Sequence, residues 1–526
     1  MSAANGKILP PGWVETSLGE IVEPRTGKAD PQATPNAKFI GMEQVEAHTM
    51  RLLGTVPAAT MKSGANTFQP FDVLYGRMRS YLNKVYQPDF AGLCSGEFIV
   101  FPETCAVLGR FLKYRLNAGD FVSFANHINT GDRPRVDFDQ IKVFNLILPP
   151  KPEQERIADK LDELLSDLDA GVSALERLQA KLKIYRASVL KAAVEGALTA
   201  AWSAKHPATE TADALLTRIL AERRRRWEKI QLQKFKDAGK EPPANWKNKY
   251  KDPAAPKSKN MAALPKGWCW VRLDQLLFEI EAGKSFTCEP RRAGPDEWGI
   301  IKVSAMSWGA FDETENKAIP SAREIDSYYE IKPGNLLLSR ANTFELVGAS
   351  VLVKDCRPRL LLSDKSMRLL YSPHIDKVWL KTVLGSPVIR RQISQKSTGT
   401  KEGMRNVSQE SVLDTLIPLP PAAECLAFVE AVEDQFSVIE HLEADLDAKL
   451  KNASALRQSI LRHAFTGQLV PQNPKDEPAA ELLKRIAAQR AEIARQAQAA
   501  KQAKTKTPRQ KAAGKSKIRN LKTAIK

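Results

Sequence analysis

Two sets of polar and basic side chains have the chemistry to meet a nucleic acid. Arg77, Arg79, Ser80, Asn83 and Lys84 follow the apolar run Val73-Leu74-Tyr75; Lys28 precedes them, and Arg133 and Arg135 come later. The second set is Lys284, Ser285, Arg340, Asn342, Lys401, Arg405 and Asn406, with Ser339 beside Arg340. Arginine and lysine donors reach phosphates or guanine edges, and an asparagine amide can pair with adenine. Each residue alone could be an ordinary turn or surface position. The recurrence of the pattern after a similar strand makes the two patches candidates for DNA contact.

Catalytic chemistry finds less support. An adenine methyltransferase needs an N-P-P-[FY]-type loop and a glycine-rich cofactor turn, and neither occurs. Gly283-Lys284-Ser285 and Gly514-Lys515-Ser516 resemble the end of a P-loop, but the required earlier glycine is Phe278 in one and Arg509 in the other. Asp137-x-Asp139-x-x-Lys142 only faintly suggests a metal nuclease. The 6 cysteines and 6 histidines show neither a C-x-x-C pair nor metal-ligand spacing. The N-terminal residues carry no signal-like apolar stretch, and no window approaches the roughly 18 apolar residues of a membrane span, so a cytoplasmic protein without a membrane is expected.

The elements that must position the patches are written twice. Leu9-Pro10-Pro11-Gly12-Trp13 returns as Leu264-Pro265-Lys266-Gly267-Trp268, and Leu148-Pro149-Pro150-x-x-Glu153 returns as Leu419-Pro420-Pro421-x-x-Glu424. A third pair follows: Arg186, Ser188, Leu190, Ala193, Gly196 and Leu198 match Arg457, Ser459, Leu461, Ala464, Gly467 and Leu469. The chain is a tandem duplication. A weaker echo matches Leu215, Leu216, Arg218, Ile219 and Arg223 to Leu482, Leu483, Arg485, Ile486 and Arg490, predicting short packing helices at the edge of a rod.

After each Leu-Pro-Pro the apolar period becomes seven. Leu161, Leu168, Leu175, Leu182 and Val189 form one seam, with Ile157, Leu164, Leu178 and Tyr185 at the alternate position and Gly171 as a break. Val432, Ile439, Leu446, Ala453 and Ile460 form the second, with Phe428, Leu442 and Leu456, interrupted at Gln435 and Lys449. Each helix, at roughly 38 residues, would run about 57 Å. Two such helices are expected to pack as an antiparallel coiled coil holding two heads apart. The heads consist of short apolar runs broken by Gly, Pro, Asn and Asp, which favour strands and tight turns. The predicted fold is therefore α+β: two globular recognition domains (1–150 and 264–420) separated by two long helices (151–198 and 421–470), in pseudo-symmetric tandem duplication. A short helix and basic linker (199–263), another short helix (471–500) and a tail (501–526) complete it.

Charge refines the partner. Lys and Arg number 79 against 61 Asp and Glu, a formal +18. The excess is concentrated at two places: ten basic residues and no acid in 501–526, and fourteen basic against five acidic residues from Arg218 to Asn260. The tail reads as a disordered arm that either solubilises or touches phosphates. The linker, with Arg223 to Arg226, Trp227 and a Pro- and Lys-rich stretch, reads as a basic helix and flexible connection that spans the rod or touches DNA.

Two variable heads, each opened by L-P-x-G-W and closed by an L-P-P-x-x-E heptad helix, resemble the specificity subunit of a Type I restriction-modification enzyme. The resemblance covers about residues 9 to 470, including DVLYGRMRSYLNKV, LPPKPEQERIADKLDELL and the ending AFTGQLVPQNPKDEPAAELLKRI. The second copy departs from the pattern, with Glu424-Cys425-Leu426-Ala427-Phe428 where the first has Glu153-Gln154-Glu155-Arg156-Ile157. The resemblance implies a noncatalytic subunit whose two domains each read half of a bipartite duplex DNA target. It also implies that the helices set the half-site spacing and dock two methyltransferase subunits, that restriction subunits join that core, and that S-adenosylmethionine, ATP and Mg are bound by the partners and not by this chain. The rivals are a self-sufficient nuclease and a coiled-coil scaffold that binds protein only.

Overall fold

A computed structural model describes residues 9–128, 134–207, 210–257, 262–307, 309–320, 325–399 and 404–505. The chain divides into two compact units, residues 1–175 with 448–526 and residues 176–447. Each unit thus gathers one head, parts of both long helices and the helix that follows the other copy's long helix.

In the first unit the opening strand Val14–Ser17 pairs antiparallel with the closing strand Asn145–Leu148, Val14 opposite Leu148. Everything between is an excursion that returns to its origin. It builds a five-stranded sheet in the order Lys28–Ala29, Ala65–Phe68, Gly92–Ser95, Lys38–Ile40, Val56–Pro57, and a three-stranded sheet in which Val73–Gly76 lies between Val85–Tyr86 and Phe98–Phe101. Helices Gly109–Asn117 and Gly119–His127 close the core, where Tyr75, Phe101, Phe111 and Phe121 are buried together.

The second unit repeats the frame with other contents. Cys269–Arg272 pairs with Leu416–Leu419, Cys269 opposite Leu419, the same register as in the first head. Leu336–Ser339 again lies inside a sheet, now between Ser366–Tyr371 and Ser350–Leu352. Helices Lys377–Gly385 and Pro387–Gln395 follow; the Asp376 carboxylate accepts from the amides of Val378 and Trp379, and Pro387 starts the second helix where no amide donor is needed. Trp379 is fully enclosed in this core.

The three repeated motifs meet in one joint, made once in each unit. Pro10 to Trp13 form a tight turn closed by Trp13 N–H donating to the Pro10 carbonyl (3.1 Å), with Gly12 at φ +79. Pro265 to Trp268 form the same turn, also at 3.1 Å, with Gly267 at φ +88. Glycine is required at that left-handed position, which explains L-P-x-G-W. The turn aims the indole inward: Trp13 Nε1 donates to Glu153 Oε2 (3.1 Å), and Trp268 Nε1 to Glu424 Oε2 (2.9 Å). Both carboxylates are buried, so an indole donor offsets a desolvation that would otherwise be costly. Burial pushes the Glu153 carboxyl up from the ordinary range, although the bonds from Trp13 and Gln472 pull it down. The remaining oxygens accept from Gln472 (3.3 Å) and Thr199 (2.7 Å), residues that follow the other long helix in each case. Gly467 (φ +75) lies against Pro10 and Gly196 (φ +76) against Pro265, and a methyl on either glycine would run into the proline Cγ. Finally, Ala479 N–H donates to the Gly12 carbonyl and Ala212 N–H to the Gly267 carbonyl, each at 2.9 Å.

Both long helices have 44 residues, Lys151–Val194 and Ala422–Phe465, longer than the period suggests because they begin directly at the prolines. Their pairing is antiparallel. In the first unit Arg457 ion-pairs with Asp169; in the second Gln179 bonds Asp447 (3.0 Å) and Arg186 lies 3.5 Å from both Glu440 and Glu443. Leu161, Leu182, Val189, Val432, Ile439 and Leu446 are buried, and Leu168, Leu175 and Ile460 are half-buried. At the alternate seam positions Ile157 and Phe428 are buried and Leu164 is half-buried, but Leu178, Tyr185, Leu442 and Leu456 differ from expectation and are exposed, because away from the heads a pair of helices covers one narrow stripe on each.

Two further corrections concern the segments after the long helices. They are not short: Ala212–Asp237 has 26 residues and Ala479–Thr505 has 27. Nor do they sit at the edge of the rod, since Leu215 and Ile219 enter the core of the second head and Ile486 that of the first. Arg223 donates to the Leu277 carbonyl and Asp274, and its repeat Arg490 to the Gly19 carbonyl. The basic linker is folded over 242–250: Trp246 is buried and stacks on Trp227 at 5.8 Å and 20°, with Tyr250 tilted on the same indole. The tail beyond Thr505 lies outside the described residues.

Replacing Trp268 by Phe should keep the packing and leave Glu424 short of a donor, lowering stability by about 2 kcal/mol. Urea unfolding of the full chain checks this, and an unchanged midpoint would remove the joint from its structural role.

Candidate nucleic-acid interface

In both heads the loop after the central strand is laced to the segment that leads to the closing strand. Arg79 N–H donates to the Pro134 carbonyl (2.7 Å), Val136 N–H to the Arg77 carbonyl (2.9 Å), and Met78 bridges Arg135. In the second head Ala341 pairs with Asn406 and Asn342 with Arg405, and Val407 N–H donates to the Arg340 carbonyl (2.9 Å). The bond from Val407 to Arg340 repeats that from Val136 to Arg77. Residues separated by more than fifty positions in each head are thereby held side by side, with Arg77, Arg79 and Arg135 on one ribbon and Arg340, Asn342, Arg405 and Asn406 on the other.

Their side chains are unequal. Arg79 (φ +53) and Arg135 are exposed; Arg135 pairs with Glu97 (3.0 Å) and Arg77 with Asp137 (2.5 Å). Arg405 lies over the Phe344 ring at 5.7 Å, and Asn342 donates to Ser307 (3.4 Å). Lys284 is an exposed residue bridging Ser363, with Asp326 at 3.5 Å. It shares one end of the sheet with Arg340, whose amide donates to the Lys365 carbonyl (2.9 Å). Exposed Ser285 follows it. Lys28 is exposed on the edge strand of the five-stranded sheet, opposite Asn66, and is not on the ribbon.

Three predicted residues turn inward instead. Ser80 is buried and donates to Asn126 (2.8 Å) and the Ala125 carbonyl; Asn83 is 3 % exposed at φ +42 and donates to the Asn117 carbonyl. Lys84 is half-buried with its ammonium 2.5 Å from the Met42 carbonyl. These three side chains instead tether the loop to neighbouring segments, through the carbonyls of Ala125, Asn117 and Met42. Arg133 and Lys401 lie outside the described residues. The Asp137, Asp139 and Lys142 trio is engaged in ion pairs, Asp137 with Arg77 and Asp139 with Lys142 (2.7 Å). Among the described residues no group of three or more His, Cys, Asp or Glu could hold a metal, and no helix is long and apolar enough to cross a membrane.

Sequence reasoning missed an aromatic on each loop. Aligning the two central strands places Arg77-Met78-Arg79-Ser80-Tyr81 over Arg340-Ala341-Asn342-Thr343-Phe344. Tyr81 is 47 % and Phe344 43 % exposed. The signal was present in the spacing from the arginine, but heads this different align only once the strands are known. Sequence reasoning also left Gln154 and Arg156 unplaced. Gln154 is buried, bonding Leu108, Ala106 and Pro149, and Arg156 pairs with Asp476 (2.7 Å). Their replacement by Cys425 and Ala427 therefore alters how the second head is buttressed.

Two antiparallel-paired long helices and a pair of unlike heads make up the chain. Residues 10–177 match the family model of the Type I restriction modification DNA specificity domain. The chain is 25% identical over 519 residues to the EcoEI specificity subunit of Escherichia coli, covering 86% of this chain and 83% of that one. It is 25% identical over 412 residues to the EcoKI specificity subunit of Escherichia coli strain K12, covering 76% and 75%. In fold it is similar to a chain in a structure of a type I R-M system, with a TM-score of 0.58 at 19% identity, over 88% of this chain and 100% of that one. Over these spans the chain is similar to Type I restriction-modification specificity subunits.

The division between inward and outward residues is measurable. Asn83→Ala should cost about 1–3 kcal/mol, through the missing buried bond and a strained left-handed backbone, whereas Arg79→Gln should stay within about 0.5 kcal/mol of the parent in urea unfolding.

Proposed function

We propose that each head reads one half of an asymmetric bipartite duplex through its ribbon, and that the paired helices set the spacer and dock two methyltransferase subunits. Restriction subunits join that core, and S-adenosylmethionine, ATP and Mg belong to those partners, in the cytoplasm. The observation that carries this reading is the lacing made in both heads, which presents arginine, an amide or second arginine, and an exposed aromatic from equivalent positions. Guanidinium and amide groups discriminate base edges, and an aromatic ring packs on a base or a thymine methyl. The unlike composition of the two ribbons, Arg79 against Asn342 above all, supports two different half-sites.

Selection from a random duplex pool, with methyltransferase subunits added, should enrich one bipartite sequence; enrichment of none would overturn the reading. Exchanging residues 9–148 for another such head should change one half-site only. Arg340→Gln or Phe344→Ala should weaken the cognate site by about 1–3 kcal/mol and relax one half-site alone. Antiparallel pairing requires a heptad to be removed from both helices, 172–178 with 448–454. That shortening of about 10 Å at about 1.5 Å per residue should alter the spacer while the bases read stay the same.

A further inference from the structure

The recognition ribbons leave the most basic described segment unexplained. The helix Ala212–Asp237 has two faces. Leu215, Ile219, Arg223 and Trp227 turn toward the second head or the returning segment around Trp246. Arg218, Arg225, Lys229 and Lys236 fall seven, four and seven apart, all exposed, forming one cationic stripe of about 27 Å at about 1.5 Å per residue. Arg218 and Arg225 have acidic neighbours in Glu210 and Glu222, while Lys229 and Lys236 have no acidic partner among the described residues.

The segment after the helix adds to this charge. Burial of Trp246 against Trp227 holds Lys249 back along the helix, together with Lys247, which pairs with Glu228 (3.4 Å). Between this return and the head opens a cleft of about 440 Å³, rimmed by Arg226, Lys234, Lys249 and Lys251 against a single carboxylate, Glu279, with Tyr250 and Phe278 in its wall. Fixing cations in a stripe has a repulsive cost unless a polyanion neutralises them, and a protein partner would have to supply a matching acidic ridge. A duplex backbone supplies one charge about every 1.7 Å of axis. The repeat adds an independent observation: the helix Ala479–Thr505 repeats this one, and ten basic residues occupy 501–526, so in each copy the bracing helix leads into a cationic sequence.

We infer that the folded arm 212–251 is a sequence-independent contact for duplex phosphates, separate from the ribbons that read bases. This rests on the DNA-recognition reading above but is tested apart from it, on a random-sequence duplex with no recognised site. The full chain with Lys229, Lys234, Lys236 and Lys249 changed to Gln should bind that duplex more weakly, and the slope of log K against log salt should shallow by up to about 3.6, at about 0.9 for each phosphate no longer neutralised. The same four positions changed to Arg should restore slope and affinity, which a misfolded arm would not. An unchanged slope in the Gln variant overturns the proposal, and if assembly with the methyltransferase subunits falls instead, the arm is a protein-docking surface. Enrichment of a bipartite site with an unaltered slope refutes the arm alone. A normal slope change without any enriched site refutes the recognition reading alone.

Discussion

A buried tryptophan–glutamate bond, made once in each half, is the constraint on which the rest of the molecule depends. It joins the point where a head begins to the point where its helix begins, and the second carboxylate oxygen recruits a residue that follows the other helix. An enclosed carboxylate is tolerable only while its donors stay in place, so the bond enforces the geometry of all three chain segments together. The glycines make that approach possible: Gly12 and Gly267 turn the chain, and Gly196 and Gly467 let a helix end rest on a proline ring.

This constraint separates what a head must keep from what it is free to vary. Because the first and last strands pair in the same register in both copies, the sheets between them can differ in strand number without disturbing the frame. The first head spreads eight strands over a five-stranded and a three-stranded sheet, while the second builds sheets of four, three and two. Yet both lace the loop after the central strand to the segment before the closing strand through equivalent amide bonds. The ribbon is thus fixed in position by backbone and varied in side chain.

Much of the frame was legible in residues alone. L-P-x-G-W, L-P-P-x-x-E and the Ala-x-x-Gly-x-Leu ending carry strong local requirements, namely a proline, a left-handed glycine and a helix start, and so survive as readable repeats. The buried seam of Leu161, Leu182, Val189, Val432, Ile439 and Leu446 followed from a period of seven. The candidate site was only half legible. Arg77 and Arg340 could be found, but nothing local separates Arg79, which faces outward, from Asn83, which is enclosed four residues later. That distinction arises from Asn117, whose carbonyl accepts from Asn83 across 34 positions of chain.

By itself the sequence determined the duplication, the opening and closing of each head, the paired helices and the family resemblance, because each rests on spacing within a short window. Only the tertiary structure decided that the three motifs converge on one joint and that the loop and exit segments form one ribbon. It also decided that Tyr81 and Phe344 occupy the same place, and that the supposed linker folds back on Trp227. These outcomes depend on contacts between residues far apart in the chain, where burial and hydrogen-bond satisfaction outweigh local preference.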